Sequence, residues 1–249
     1  MAATMVDVGG YKLAAEISGE GSPTVVFISG TADAGAPWDA AIAAHRSSTT
    51  LVTYARAGIG ESEMPADSKP RSVGAAEEEL RGLLASAGVG RPAVLVGHSF
   101  GALIGLYFAA TWPQDLAGLV MVDSTDIHLN LDIEKPWTVI PDSDEDGGIS
   151  FDMLASAEEV ERSTGPLAVP SVVITSRVGR WLEIESVEHW LPFTREALEE
   201  RWQRNQAALA AELGVVHKIA RFGDHYVQID DPTIVAEAID DLIDAARQA

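Results

Sequence analysis

Gly97–His98–Ser99–Phe100–Gly101 spells G-x-S-x-G in a chain of 249 residues. A serine hydroxyl becomes a useful nucleophile only when a base takes its proton. Composition alone yields this pentapeptide in roughly one such chain in seven, so the string by itself decides little. Its setting decides more. Ala93–Val94–Leu95–Val96 just before it is apolar on both faces, as a buried strand is, and residues 100–112 just after it form a helical stretch stopped by Pro113. A serine at such a strand-to-helix turn is held in strained backbone geometry. Glycines two before and two after it leave out Cβ atoms that would clash there. The helix N-terminus adds amide donors and a positive dipole end beside the hydroxyl. The plain alternative is a Gly/Ser turn with no chemistry.

The base must come from elsewhere in the chain. Of six histidines, His225 follows the last expected strand in a Gly-Asp-His loop, so only folding can bring it to Ser99. His217 lies inside that strand and reads as packing. His45, His128 and His189 fall in helix or lid contexts, without partners, and read as surface or structural. The His98 side chain is expected to point away from the turn and pack behind the nucleophile.

The elements that would position these residues follow from periodicity. Strands are expected over 12–17, 24–29, 50–54, 93–96, 119–122, 171–175 and 215–220, and helices over 72–87, 100–112 and 233–247. Doubly apolar strands alternating with helices indicate an α/β fold with a mainly parallel sheet covered on both sides. Residues 124–165 break the rhythm: they hold two prolines, an acidic run and one candidate helix over 151–162. Forty residues exceed a simple connection, so this segment is read as a lid inserted between core segments 1–123 and 166–249. The tryptophans at 38, 112, 137, 181, 190 and 202 are scattered; Trp137 could line a pocket, but none stands out.

Composition narrows the functions. Seventeen Lys and Arg against 38 Asp and Glu give a net charge of −21, which a phosphate backbone or an anionic membrane would repel. Nucleic-acid partners are therefore not expected. The absence of cysteine excludes disulfides, a thiol nucleophile and thiolate metal sites. No apolar run is long enough for a membrane span, and the first ten residues lack a secretory pattern, so a cytoplasmic location is expected. Asp142–Ser143–Asp144–Glu145–Asp146–Gly147 begins like an EF-hand loop, but Met153 stands where the bidentate glutamate is required. It reads as a solvated acidic loop, with no metal and no cofactor expected.

With these motifs in place, the chain resembles the α/β-hydrolase superfamily over nearly its whole length. Gly58–Ile59–Gly60–Glu61–Ser62 is similar to that family's G-x-G-x-S loop, and 118–124 to its sixth strand. Gly223–Asp224–His225–Tyr226–Val227–Gln228, with Pro232 behind it, is similar to its histidine-bearing loop. The resemblance implies an eight-stranded, mainly parallel sheet, Ser99 as nucleophile and His225 as base. It would place the triad acid just after 171–175, yet no carboxylate occurs there until Glu183. Asp123, ending the preceding strand at the carboxyl edge of the sheet, is the preferred acid, with Asp126 and Glu183 as alternatives. An oxyanion hole needs two backbone donors. One is expected from Phe100, the other, by position, from Thr31 in Ser29–Gly30–Thr31–Ala32.

Three functions remain. The first is a serine hydrolase acting on a carboxylic ester, thioester or lactone of a small to medium, partly apolar substrate. The second is other triad chemistry on the same fold, such as C–C hydrolysis or perhydrolase-type haloperoxidation. The third is a small-molecule receptor with slow or no turnover.

Overall fold

The protein, a computed structural model, is described here for residues 3–34, 36–67, 69–142, 149–163 and 165–248. Chain order is β1 (Thr4–Asp7), β2 (Lys12–Ser18), β3 (Thr24–Ile28), α1 (Asp39–Ala44), β4 (Leu51–Tyr54), α2 (Val73–Ser86), β5 (Ala93–His98), α3 (Phe100–Thr111) and β6 (Leu116–Val122). It continues with α4 (Ile127–Asp132), β7 (Val139–Pro141), β8 (Ser150–Asp152), α5 (Met153–Ser163), β9 (Ser171–Thr175), α6 (Arg195–Leu213), β10 (Val216–Ile219), α7 (Val227–Asp230) and α8 (Pro232–Gln248). Among the described residues, eight strands form one sheet in the order β1-β2-β4-β3-β5-β6-β9-β10. The β1–β2 and β2–β4 pairings are antiparallel, and those from β4 to β10 are parallel.

The central strands are apolar throughout because both faces are covered. Val25 and Phe27, Val94 and Val96, Val120 and Val122, and Val172 and Ile174 point to the face packed by α1 and α8, where Trp38, Val235, Ile239 and Ile243 lie. Val26 and Ile28, Leu95, Leu119 and Met121, and Val173 alternate to the other face and meet Leu80 and Leu83 of α2 and Ile104 and Phe108 of α3. The pairing register keeps these strand ends level. Ile28 pairs with Gly97, His98 with Val122, and Val122 with Ile174, so the residues just past β3, β5, β6 and β9 emerge side by side at one carboxyl edge.

The segment 124–165 contains α4, the β7–β8 hairpin and α5. Its helix begins at Met153, two residues later than the sequence pattern implies, because Phe151 pairs with Ile140 in the hairpin. The acidic run is not wholly solvated: Asp142 is 0 % exposed. The rest of the EF-hand-like stretch, 143–148, lies outside the described residues. No helix among the described residues is long and apolar enough to cross a membrane.

Candidate active site

Ser99 occupies the single residue between β5 and α3, with φ 53° and ψ −120°. A non-glycine residue there is strained, and the surroundings hold it. Its N–H donates to the Val122 carbonyl at 3.0 Å. A Cβ on Gly97 would come within 2.6 Å of Ala102 Cα, and one on Gly101 would run into the Ile28 carbonyl, so the tight turn requires both glycines. Phe100 opens α3, and the first amides of a helix have no acceptor within it.

His225 reaches the serine from the loop between β10 and α7. The Ser99 hydroxyl lies 3.0 Å from Nε2, while Nδ1–H donates to Asp123 Oδ2 at 2.8 Å. Asp123 follows β6 directly, at φ 43°, a left-handed conformation that aspartate tolerates better than most residues. It is wholly buried, and its Oδ1 accepts from the Ser176 amide at 2.8 Å and from Trp202 Nε1 at 3.0 Å. Burial pushes this carboxyl up, but the Arg180 guanidinium and the His225 hydrogen bond outweigh it and hold it at about 2. Asp123 is therefore ionised at neutral pH. An imidazole with Nδ1–H on a carboxylate presents Nε2 as an acceptor to the serine O–H, which is the arrangement for proton removal.

His98 fixes that loop from below. Its Nε2–H donates to the His225 carbonyl at 2.9 Å, and its ring packs 4.6 Å from that of His225 and 4.9 Å from that of Tyr226. Burial, with His225 adding to it, depresses His98 to about 3, so it stays a neutral donor.

The loop after β3 is shaped by a buried ion pair. Arg56 Nη1 donates to the Ser29 carbonyl at 2.6 Å and Nη2 to the Gly30 carbonyl at 2.5 Å. Its Nε and Nη2 also grip the two oxygens of Asp142 at 2.9 and 2.6 Å, and Asp142 in turn accepts from the Ala32 amide at 2.8 Å. Both loop carbonyls before Thr31, and the amide after it, are thus tied down.

Ser99, His225, Thr31 and Phe100 open on one cavity of about 390 Å³. Thr125, Asp126, Asn130, Trp137 and Ile140 wall one side. Arg180, Trp181, Ile184, Trp190 and Trp202, all between β9 and β10, wall the other. The four tryptophans interlock, with centroids 5.0 Å apart for Trp137–Trp190, 4.9 Å for Trp181–Trp190 and 5.5 Å for Trp181–Trp202.

Residues 25–249 match the model of the Alpha/beta hydrolase family. The chain belongs to the α/β-hydrolase family. Among solved structures, the fold of this hydrolase is similar to mouse alpha/beta hydrolase domain-containing protein 10 (TM-score 0.69, 18 % identity, 98 % of this chain and 99 % of that one). It is similar also to the enol-lactonase from Burkholderia xenovorans LB400 (TM-score 0.67, 16 % identity, 97 % and 100 %). In sequence, 105 residues are 40 % identical to a Klebsiella pneumoniae (strain 342) protein provisionally named carbamate hydrolase RutD, over 41 % of this chain. The match spans only 38 % of that relative's length. The uncharacterised Bacillus subtilis (strain 168) protein YqjL is 28 % identical over 92 % of this chain and 87 % of its own.

The other candidates in this hydrolase have other partners. Glu183 is exposed and pairs with Arg177 at 2.6 Å, away from His225. Asp126 lines the cavity but caps α4 at the Leu129 amide (3.0 Å) and accepts from Asn205 at 2.7 Å. His217 bonds Thr175 Oγ1 at 2.7 Å. His45 and His128 do have partners, the carboxylates of Asp240 (2.8 Å) and Glu161 (3.3 Å). The sequence reading missed Arg56, Asp142, Arg180 and the clustering of the tryptophans. One available signal was three tryptophans within a single connection, 176–215, at the edge where α/β sites gather.

Proposed function

We propose that this α/β hydrolase is a serine hydrolase that cleaves a carboxylic ester, thioester or lactone through an acyl-enzyme. One observation carries the reading: an unbroken hydrogen-bonded chain from Ser99 through His225 to a buried, ionised Asp123, with the serine at a strained turn facing a cavity. His225 takes the Ser99 proton as Oγ attacks the carbonyl carbon, and Asp123 stabilises the resulting imidazolium. The oxyanion is received by the Phe100 amide, the unpaired first donor of α3, and by the Thr31 amide in the loop that Arg56 and Asp142 hold. Imidazolium then protonates the leaving oxygen or sulfur. A water activated by the same imidazole releases the acid and restores Ser99. Segment 124–165 acts as a lid whose apolar wall selects a small to medium substrate. The receptor alternative drew on the missing carboxylate after Thr175, and Asp123 one strand earlier meets that need.

Intact-mass analysis after treatment with a small fluorophosphonate, beside Ser99→Ala, tests the reading. A single adduct is expected on the native protein and none on the variant. An adduct that survives the substitution, or none on either protein, rejects Ser99 as the nucleophile.

A further inference from the structure

We propose that Arg180 is a carboxylate-binding residue of the cavity, and that the substrate carries a carboxylate of its own a few bonds from the scissile carbonyl. This deepens the hydrolase reading above and rests on it. The Arg180 side chain is only 9 % exposed, yet it lines the same cavity as Ser99 and His225. Its guanidinium lies over the rings of Trp181 and Trp202, 4.4 and 4.7 Å from their centroids. Ring contacts engage the faces of a guanidinium and leave its five in-plane N–H donors to be satisfied. None of them makes a hydrogen bond to a described residue. Nε is buried without a partner, and the nearest carboxylate oxygen, Asp123 Oδ2, stands 3.7 Å from Nη2. Nor does Asp123 need this cation as a donor, since Ser176, Trp202 and His225 already donate to it.

The neighbouring arginines differ. Arg56, Arg177 and Arg201 each have a carboxylate oxygen within 2.9 Å. Arg180 alone of these four is held in place by aromatic rings with its donors unspent. Asp123 balances the charge of this cation at 3.7 Å but takes none of its hydrogen bonds; donors buried unmet are costly, and the cost is recovered when an acceptor arrives. A planar carboxylate matches the fork of donors, accepting two parallel bonds. The position fits as well: Arg180 is one carboxylate removed from the imidazole that touches Ser99. A single small molecule can therefore reach both. Asp126, which lines the same cavity, does not oppose this, because Arg201, Asn205 and the Leu129 amide occupy its oxygens. The chain's net charge of −21 acts at a distance and is screened beyond about 8–10 Å.

Two 4-nitrophenyl esters of equal chain length test the proposal, the glutaric acid monoester and the neutral pentanoate. The expected ratio of kcat/KM, anionic over neutral, is at least tenfold in the native protein and carried mainly by KM. It is expected to fall at least tenfold in Arg180→Gln and to recover in part in Arg180→Lys. The ratio cancels any common effect of losing the charge beside Asp123. Binding is read separately, by quenching of tryptophan fluorescence with glutarate and with neutral glutaramide, on native protein, on Ser99→Ala and on Arg180→Gln. Glutarate is expected to bind at least tenfold more tightly. Glutarate binding that depends on Arg180 in a protein that turns over neither ester would retain this subsite and remove the hydrolase reading. Turnover of both esters with an unchanged ratio in the variants, or equal binding of diacid and diamide, overturns the subsite and leaves the hydrolase reading intact.

Discussion

The two halves of the site are positioned by different physics. Ser99, Asp123 and the Ser176 amide follow immediately on β5, β6 and β9, and their relative placement is the register of three buried parallel strands. Strain at Ser99 and Asp123 is borne by the sheet, because strands buried on both faces leave the turn no room to relax. The opposite half, made of the loop that leaves β3 and the cavity wall, extends beyond that frame. It is held by charges brought together from far apart in the chain: Arg56 with Asp142, and Arg201 with Asp126 and Asp132. One half is rigid because its backbone is hydrogen-bonded in register. The other is held by buried ion pairs together with the packed tryptophans.

The sharpest break in this comparison is Asp123→Asn. The geometry would survive, because the amide oxygen can still accept both bonds now made to Oδ1, but the amide NH2 then faces His225 Nδ1, so the imidazole loses its anionic partner and its working tautomer. The expected loss in kcat is on the order of 10⁴-fold with the fold retained, measured by steady-state kinetics and circular dichroism. Arg56→Met probes the other half. Leaving Asp142 charged and buried is expected to lower stability by about 3–5 kcal/mol, read from denaturant midpoints. The double variant Arg56→Met/Asp142→Leu removes both charges and should regain most of that stability. Its kcat is nevertheless expected to remain roughly 10- to 100-fold low, since Ser29, Gly30 and Ala32 have lost the groups that place the Thr31 amide. Recovery of kcat together with stability would show that the ion pair only fills space.

The same division explains what could be read from the chain. Strands β3, β5, β6 and β9 are legible because doubly buried strands write themselves as apolar runs of three to seven residues. Positions just beyond them, such as Ser99 and Asp123, inherit that legibility. Edge strand β1 has only Val6 buried among four residues and leaves no such run. Helix α6 is harder still: its buried residues Leu198, Trp202, Gln206, Ala210 and Leu213 keep helical spacing, but two are not strongly apolar, and glutamates and arginines dominate the rest. Arg56, Asp142 and Arg180 carry no local mark at all. A buried ion is recognised by its surroundings, and Arg56 and Asp142 lie 86 residues apart.

A smaller effect separates His98 from the residues it supports. In the folded protein it stays neutral down to about 3, whereas its ordinary value is 6.5. Between those values the unfolded chain binds a proton that the folded chain does not. Its contribution to stability is therefore complete above about 6.5 and is lost as pH falls, amounting to about 2 kcal/mol by pH 5. Asp123, depressed to about 2 from 3.8, loses its own contribution only below about pH 4, so the two windows separate. His98→Gln keeps an amide donor for the His225 carbonyl but does not titrate. Urea midpoints at pH 7 and pH 5 are expected to fall less in the variant than in the native protein by that amount. Equal falls would mean that His98 is not held neutral behind His225.

The smallest expected effect is that of Glu183→Gln, and its smallness is informative. Glu183 is the carboxylate nearest in sequence to where the resemblance places the triad acid. Its side chain is 69 % exposed, and its strong contact is with Arg177, not His225. Arg177 keeps a second carboxylate, Asp224, at 3.1 Å when Glu183 is neutralised. A pair with one partner this exposed to solvent is worth at most about 1 kcal/mol. A change in kcat within twofold is therefore expected, with stability altered by less than about 0.5 kcal/mol. A loss approaching that of Asp123→Asn would move the acid out of the in-register half and into the half held by charges. The distinction between a half fixed by strands and a half fixed by charges would then fail at its central residue.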